Sequence, residues 1–497
     1  MNLSIIRYIL GHVLRIEGLL MLLPCLIAVC YQEEEGLIYL LIGLFTVFAG
    51  LFLKREKPEN QIFYLKEGCV ATALSWIFMS IFGCLPFIAT GEIPSFTDAM
   101  FETISGFTTT GSSILADVEA LSHTSLFWRS FTHWIGGMGV LVFLLAVVPL
   151  SGGSNMNLMK AESPGPSVGK LVPKVRSTAA FLYKIYIAMT IIQFVLLLLG
   201  KMPVFDAICT TFGTAGTGGF GIKGDSMAGY SSYINWVVTI FMFLFGVNFN
   251  FYYFLIFREF RKAFSMEEVK YYFFIVVGAI AIIFVDILPL YTTISESLLH
   301  AAFQVSTVIT TTGFATTDFN LWPETSRFVL VLLMFFGACA GSTGGGIKIS
   351  RIILLVKSFI REFHAYAHPK SIKKVTMDGK PVESEILRTT YVYLAAFLFI
   401  FIMSVFALSF EGKNFITNFT AVAATLNNIG PGLELVGPTQ NFGHFSTFSK
   451  WVLAFDMLAG RLELFPLLML FYPEIWKDAI TSHISYKKKK WDAGIYY

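Results

Sequence analysis

The stretch "VITTTGFATTDF", residues 308–319, places a run of threonines around one glycine in an otherwise strongly apolar chain. Related strings occur at 107–113 ("FTTTGSS") and 216–221 ("GTGGFG"), and a looser one, "NIGPG", follows at 428–432. The central glycines recur roughly every hundred residues, and self-similarity at a fixed period indicates a repeated structural unit. The sequence therefore predicts four copies of one unit within a single chain.

The composition is that of a polytopic membrane protein. Of the 497 residues, 55% are hydrophobic and only 14% are charged, and apolar runs such as 187–199 continue into flanks long enough to cross a bilayer. The six cysteines lie in or beside apolar segments without a CxxC pair, which favours small buried thiols over a redox or metal site. The first apolar stretch is long, contains Glu17 and precedes a second span, so we expect it to be retained rather than cleaved as a signal.

The hydropathy pattern predicts ten spanning helices. We place them near 3–30, 37–53, 67–90, 124–150, 177–199, 231–260, 268–290, 325–360, 386–410 and 445–475. The eighth segment is too long for one plain span, and it contains "GACAGSTGGG" at 337–346.

Positive charges alternate strictly between the connecting segments. Lysines and arginines cluster around 54–66, 160–176, 258–270, 357–380 and 487–490, whereas 91–127 and 291–325 contain neither. Basic loops stay on the cytoplasmic side of a membrane, so the N- and C-termini are expected to be cytoplasmic.

The intervening outer segments, which are nearly bare of basic residues, are too long to be tight turns. Each opens with a short amphiphilic stretch, at 96–107, 205–212, 295–308 and 415–426, and then enters one of the Gly/Thr/Asn strings. A half-length helix followed by an extended polar segment is typical of a re-entrant loop, and such backbone survives at membrane depth only if it lines a watery cavity or is enclosed by protein. Surface turns rich in glycine and threonine are the alternative for any single string.

The chemistry of the strings suits a filter for a monovalent cation. Backbone carbonyls and Thr or Ser hydroxyls from several segments can replace the water around such an ion, and glycine tolerates the backbone that aims carbonyls inward. We therefore predict an all-α integral membrane fold with four pseudo-symmetric helix–pore-loop–helix repeats around one pore, plus two N-terminal transmembrane helices. The candidate filter residues are Thr109, Thr110, Gly111, Ser112, Gly216, Thr217, Gly218, Gly219, Thr311, Thr312, Gly313, Phe314, Asn428, Ile429, Gly430 and Pro431.

The repeats divide the chain into five parts. Residues 1–60 would form the two additional N-terminal helices, 61–160 the first pore repeat, and 161–264 the second. Residues 265–370 would form the third repeat, with a broken second helix, and 371–497 the fourth repeat with a basic cytoplasmic tail.

These strings, together with four further stretches, resemble the Trk/Ktr/HKT superfamily of potassium transporters, and most closely its TrkH/TrkG branch. The further stretches are "WRSFTHWIGGMGVLVF" at 128–143, "PGP" at 164–166, "AGSTGGGIKISR" at 340–351 and "GRLELFPLL" at 460–468. The resemblance implies that one glycine per filter governs selectivity, and that glycine in all four favours potassium. We assign these positions to Gly111, Gly218, Gly313 and Gly430, and note that the fourth string carries Asn428-Ile429 where threonine is usual.

The "AGSTGGGIK" stretch interrupts an apolar span with four glycines, each about 1 kcal/mol less favourable than alanine inside a helix. It predicts a broken helix, the alternative being a glycine-rich packing face.

The resemblance implies an intramembrane gate beneath the filter, centred on Gly344, Gly345 and Gly346 with Lys348 just below. It also places Arg461 beside that gate, the alternative being a structural ion pair. We expect Glu463 to be an awkward partner for Arg461, and Asp456 to lie near an outer helix end.

Three classes of function compete. The leading hypothesis is a channel-like potassium-uptake subunit driven by the membrane potential, with potassium as the transported ion and no bound organic cofactor. The alternative is a secondary transporter that couples potassium to protons or sodium, which usually leaves acidic or histidine residues along the pathway. An enzyme is disfavoured, because the histidines are scattered and no clustered catalytic constellation occurs. His133 is expected to be a packing residue.

No nucleotide-binding segment is expected in this chain. "GSTGGGIK" lies within an apolar span and does not match the phosphate-loop pattern GxxxxGK[ST]. The resemblance implies a separate cytosolic nucleotide-binding ring subunit, TrkA-like, docking on the basic loops 357–380 and 151–176, and a homodimer with one pore per chain. It also implies the bacterial inner membrane. We expect no nucleic-acid partner.

Overall fold

A computed structural model describes residues 1–56, 58, 64–137, 139, 175–371 and 373–477. The fold is all-α, as predicted, apart from one hairpin of two antiparallel two-residue strands, β1 (Thr376–Met377) and β2 (Lys380–Pro381). The helices of the described part are α1 (Leu3–Leu20), α2 (Leu23–Tyr31), α3 (Glu35–Lys54), α4 (Leu65–Ala89), α5 (Phe96–Phe107), α6 (His123–Gly137), α7 (Val175–Leu199), α8 (Val204–Ala215), α9 (Ser232–Phe245), α10 (Phe249–Ile256), α11 (Phe260–Ser265), α12 (Glu267–Ile287), α13 (Ile294–Ile309), α14 (Glu324–Phe336), α15 (Ile349–Ala367), α16 (Ser384–Ser409), α17 (Phe415–Leu426), α18 (Thr447–Arg461) and α19 (Phe465–Leu468).

Six helical spans among the described residues are long and apolar enough to cross a bilayer. They correspond to six of the predicted ten: Leu3–Tyr31, Glu35–Lys54, Leu65–Ala89, Ala180–Leu199, Glu267–Leu290 and Ser384–Ser409. The first of them contains a short interruption between α1 and α2, where Pro24 lies in the first turn of the second helix. The predicted helix at 124–150 is described only as far as Gly137, and the rest of it lies outside the described residues.

Two predicted helices prove to be broken. The segment 231–260 consists of α9 and α10, which meet at an angle of 91°. The segment 445–475 ends its main helix at Arg461, after which Glu463 and Leu464 take left-handed φ angles of 58° and 65°. Both predictions of a single straight helix were wrong, because an apolar run reports burial in the membrane but not the direction of the backbone. The suspected interruption of 325–360 lies between α14 and α15, and we refer to it as the loop 337–348.

Four units share one order of elements. Each has a first helix (α4, α7, α12, α16), a short helix (α5, α8, α13, α17), a glycine-containing string, and a second helix (α6, α9, α14, α18). Short polar residues cap three of the short helices at the N-terminus: Ser95 accepts from Asp98 N at 3.4 Å, Thr293 from Glu296 N at 3.2 Å, and Asn414 from Thr417 N at 2.7 Å. These caps let a helix begin within a re-entrant segment without leaving its first N–H groups unpaired.

The N-terminal pair, α1 and α3, packs backbone to backbone through glycines. A Cβ added at Gly50 of α3 would lie 2.7 Å from the Gly11 carbonyl oxygen and 2.6 Å from Arg15 N. One added at Gly18 of α1 would lie 2.6 Å from the Gly43 carbonyl oxygen. Small residues at such positions allow membrane helices to approach closely, so these glycines define the docking of the first two spans.

We expect Gly50→Ile to destabilise the protein by about 1–3 kcal/mol, because the side chain must push α1 away from α3. Gly278→Ile in α12 is the matched control, since a Cβ there would have nothing within 4 Å. Thermal unfolding in detergent measures both variants. Equal melting temperatures for the two would contradict close glycine packing as the determinant of this interface.

Candidate functional site

Each of the four short helices ends in the same backbone turn. The second residue beyond each helix is left-handed, with φ of 55° at Thr109, 54° at Thr217, 59° at Thr311 and 56° at Asn428. The next residue donates its N–H to the carbonyl five residues back: Thr110 to Ser105 at 2.9 Å, Gly218 to Gly213 at 2.9 Å, Thr312 to Thr307 at 2.8 Å, and Ile429 to Ala424 at 2.8 Å. This is a helix-terminating turn of the Schellman type, built here on non-glycine residues.

The common turn also establishes the register of the strings. Two residues beyond each left-handed residue lies a glycine with positive φ: 81° at Gly111, 71° at Gly219, 90° at Gly313 and 103° at Gly430. The counterpart in the second string is therefore Gly219 and not Gly218, which occupies the position of Thr110, Thr312 and Ile429. The string "GTGG" offers two adjacent glycines, and only the backbone conformation distinguishes them.

The glycines bring the four strings together in a closed ring. A Cβ added at Gly111 would collide with the Gly218 carbonyl oxygen, one at Gly219 with that of Thr312, and one at Gly313 with that of Ile429. One at Gly430 would lie 2.8 Å from the Thr110 carbonyl oxygen, which returns to the first string. Each string thus packs against the next in the order of the sequence, and a side chain at these positions would disrupt the ring.

Side chains join the fourth string to the first. Asn428 donates from Nδ2 to Thr110 Oγ1 and to the Met457 carbonyl oxygen, both at 2.9 Å. Ser112 donates from Oγ to the Gly430 carbonyl oxygen at 3.0 Å. The asparagine that departs from the threonine pattern therefore bridges two strings and the helix α18.

A polar cavity of about 130 Å³ lies on the glycine side of the ring. Its wall includes all four string glycines, Gly111, Gly219, Gly313 and Gly430, together with Ser112. The cavity therefore borders the ring on its glycine side.

The loop 337–348 lies against the opposite, threonine side of the ring. Gly345 donates its N–H to Thr311 Oγ1 at 2.6 Å, and a Cβ added at Gly344 would lie 2.9 Å from the Thr310 carbonyl oxygen. Three of the predicted gate residues, Gly344–Gly346, are buried. The cavity therefore lies on the glycine side of the ring, and the loop 337–348 lies on its threonine side.

A buried carboxylate holds both ends of this loop. Glu268, at the start of α12, accepts from Ala340 N at 2.6 Å and from Ser350 N at 3.1 Å through Oε1. Asn248, from the bend between α9 and α10, donates to Glu268 Oε2 at 3.2 Å. Sequence reasoning missed Glu268 and Asn248, although an acid at the edge of an apolar span is a signal that could have identified the first.

Two of the predicted basic residues contact the loop directly. Arg461 donates from Nη1 to the Thr343 carbonyl oxygen at 2.9 Å, and from Nη2 to the carbonyls of Gly137, at 2.9 Å, and Gly136. Lys348 is buried, and its ammonium group folds back to the Gly344 carbonyl. Arg461 therefore connects the end of α6 in the first repeat to the loop in the third.

The other charged residues of this region pair among themselves. Glu463 forms an ion pair with Arg351, whose guanidinium lies 3.8 Å from the centre of the Tyr393 ring. The sequence predicted that Asp456 lies near an outer helix end. This prediction was wrong: Asp456 is buried within α18 and accepts from Ser404 Oγ at 2.7 Å. His133 is buried and fully hydrogen-bonded, which agrees with a packing role.

No group of three or more His, Cys, Asp or Glu residues that could hold a metal ion occurs in the part of the chain that the structure describes. The cysteines are free thiols, and Cys69, Cys84, Cys209 and Cys339 are buried.

The chain is similar over nearly its whole length to known transport proteins. The profile of the TrkH family, described as "Cation transport protein", matches residues 40–482. The Trk system potassium uptake protein TrkH of Salmonella typhimurium is 35% identical over 484 residues, 93% of this chain and 99% of that protein. The Trk system potassium uptake protein TrkG of Escherichia coli is 30% identical over 485 residues, 96% of this chain and 99% of that protein.

A solved structure has the same fold. The crystal structure of the potassium transporter TrkH from Vibrio parahaemolyticus superposes with a TM-score of 0.86 at 32% identity, covering 96% of this chain and 100% of that one.

We expect Gly313→Ser to reduce the preference for potassium over sodium by about tenfold or more. A side chain is disfavoured by the left-handed backbone and would collide with the Ile429 carbonyl, so the carbonyls around this position must move. A change of about 1.4 kcal/mol in the difference between the binding free energies of the two ions is a factor of ten. Rubidium and sodium fluxes into proteoliposomes measure the ratio. Gly224→Ser is the control, because only the Glu119 side chain, 3.7 Å away, lies near its added Cβ. An unchanged ratio in Gly313→Ser would argue against the ring as the selective element.

Proposed function

We propose that this chain, which belongs to the TrkH family of cation transport proteins, is the ion-conducting subunit of a potassium uptake system. Membership in this family makes it a multi-pass membrane transport protein and not an enzyme. In the proposed mechanism, the four strings form the selectivity filter and the loop 337–348 is the gate.

The closed ring of strings is the observation that carries the proposal. Four glycines with positive φ pack in sequence order against the carbonyls of the neighbouring strings, and all four turns have the same register. Rings of backbone carbonyls replace the hydration shell of a monovalent cation, and the flanking threonine hydroxyls add oxygens on the loop side. The short helices end at the ring, so the partial negative charge of their C-termini favours a cation there.

The position of the loop supports a gating role. It covers the threonine side of the ring, and a basic side chain, Arg461, contacts it through the Thr343 carbonyl. Gly337, Gly341 and Gly346 of the loop have positive φ angles. Glycine adopts such angles, and others, at little energetic cost, so the loop backbone can change conformation more easily than a helix. A passing cation would meet both the loop and the positive charge of Arg461.

The alternative is a secondary transporter that couples potassium to protons or sodium. It is supported by two carboxylates buried in α1 and α18, Glu17 and Asp456, neither of which forms an ion pair within the described residues. Intramembrane acids of this kind serve as coupling sites in transporters. The two functions differ in whether flux requires a second ion gradient.

Regulation would come from a separate subunit. We propose that a TrkA-like nucleotide-binding ring docks on the basic segment 357–380, in which Lys373, Lys374 and Lys380 are exposed. This surface is held in place by Glu267, which pairs with Lys357 and donates its N–H to Asp378 at 2.7 Å. The basic tail 487–490 lies outside the described residues, as does the second predicted docking segment, 151–176, except for its last two residues. The proposal includes a homodimer in the bacterial inner membrane with both termini in the cytoplasm.

In proteoliposomes with an imposed potential and no pH gradient, we expect flux of potassium and rubidium to exceed that of sodium and lithium. Flux that follows the potential alone supports a passive filter. Flux that appears only with an added proton or sodium gradient, and disappears in Glu17→Gln or Asp456→Asn, would replace the channel with a coupled transporter.

We expect Arg461→Ala to raise basal potassium flux several-fold, because it removes both a positive charge beside the path and a contact that holds the loop. Lys450→Ala is the control: it removes a positive charge from the same helix at a site paired with Asp98, 2.6 Å away. Rubidium uptake per properly folded protein measures both. Unchanged or lost flux in Arg461→Ala, with normal folding, would show that this arginine is not a barrier.

A further inference from the structure

A buried ion pair lies behind the first two strings. Glu102 of the short helix α5 and Arg129 of α6 meet at 2.6 Å between Oε1 and Nε, with only 0% and 3% of their side chains exposed. A buried charge pair is expensive to desolvate and does not by itself stabilise a fold, so its role has to be sought in what it contacts.

The carboxylate of Glu102 holds the end of the first string. It accepts from Ser113 Oγ at 2.9 Å through Oε1 and from the backbone N–H of Ile114 at 2.9 Å through Oε2. Ser113 and Ile114 follow directly after Gly111 and Ser112, so the carboxylate fixes the segment in which the string leaves the ring.

The guanidinium of Arg129 holds the end of the second string. It donates from Nη1 to the Gly221 carbonyl oxygen at 2.8 Å, and it lies 3.5 Å from the centre of the Phe220 ring, a cation–π contact. These two residues follow directly after Gly219. One ion pair therefore spans two strings that are neighbours in the ring.

The other repeats have no such pair at the corresponding position. Seven residues before the left-handed residue of each turn lie Glu102, Thr210, Gln304 and Ala421. In the third repeat, Gln304 reaches only Thr316 Oγ1, at 3.5 Å. Among the four equivalent positions of the short helices, only the first therefore carries an acid, and the Glu102–Arg129 pair has no copy there in the other repeats.

We propose that the Glu102–Arg129 pair is a specificity-determining clamp that holds the first and second strings in register with one another, and that potassium selectivity depends on it. The inference rests on the proposed function, in which the strings form the filter. Discrimination between ions of one charge requires the filter carbonyls to keep their number and spacing. The clamp connects the ends of two neighbouring strings, and so restrains the spacing of the carbonyls that they carry.

The test compares Glu102→Gln with Glu92→Gln, the same chemical change at a carboxylate of the first repeat that binds Ser122 N at 2.7 Å and no string residue. A glutamine has one acceptor oxygen and cannot satisfy Arg129, Ser113 and Ile114 together. We expect Glu102→Gln to lower the rubidium-to-sodium flux ratio about tenfold. We also expect faster amide hydrogen exchange at 111–116 and 217–222 than in the wild type, with 311–316 and 428–433 unchanged, and no change in Glu92→Gln.

Milder variants keep the test decisive if Glu102→Gln folds poorly. Ser113→Ala removes the hydrogen bond to Glu102 and the one that Ser113 Oγ accepts from Leu115 N at 3.1 Å, but leaves the ion pair, so a smaller shift in the same direction is expected. Arg129→Lys keeps the charge but cannot reach Glu102 and Gly221 simultaneously while stacking on Phe220, so it should resemble Glu102→Gln.

Two results would overturn the clamp: exchange in the first two strings that is unaffected by these variants, or faster exchange with an unchanged flux ratio. A wild-type chain without any preference among the cations would instead refute the proposed function. Hydrogen exchange in the first two strings would then still test whether the ion pair restrains their backbone.

Discussion

The central constraint on this molecule is that the non-helical backbone of the four strings is buried inside an all-α membrane protein. Each string leaves helical geometry within a short re-entrant segment, and its N–H and C=O groups must be enclosed by protein or water. The chain meets this constraint with a Schellman-type turn at the end of each short helix, which satisfies the first N–H groups internally and leaves the following carbonyls to the ring. The first and second helices of the four repeats surround the ring and supply the protein that encloses its backbone.

The same constraint explains the loop 337–348 and the sharp bend between α9 and α10. Each is an interruption of a helix, and each leaves backbone groups that need partners. They satisfy one another: Cys339 N donates to the Gly246 carbonyl at 3.0 Å, and Phe249 N to the Gly341 carbonyl at 3.1 Å. The second and third repeats are thereby joined directly beneath the ring, with Glu268 and Asn248 closing the contact. In the proposed mechanism, a movement of the loop would have to break these bonds, so the bend in α9–α10 is a natural element through which gating would be transmitted.

The repeat, the all-α membrane fold and the position of the break in 325–360 follow from composition, periodicity and glycine content, because these report directly on lipid exposure and on where a helix cannot continue. The assignment of Gly218 failed because two adjacent glycines are equivalent in sequence, and only the common turn identifies Gly219. The straight helices at 231–260 and 445–475 failed for a different reason. The bend at 246–248 and the left-handed pair Glu463–Leu464 are stabilised by distant partners, among them Gly341 and Arg351, which no local pattern reveals.

A ring made by one chain differs in an important respect from a ring of four identical subunits, in which every contact must occur four times. Here Asn428 bridges the fourth string to the first, the loop of the third repeat binds Thr311, and a charged pair connects the first two strings. The asparagine and the glutamate of these contacts are side chains that the other repeats do not carry at the equivalent position. The backbone therefore repeats the same turn four times, whereas the side chains around the turns differ from repeat to repeat. The loop 337–348 contacts the third string, Asn428 joins the fourth string to the first, and the ion pair connects the first string to the second. We therefore expect selectivity and gating to be unequal among the repeats, with the first and second governing the shape of the ring and the third governing access to it.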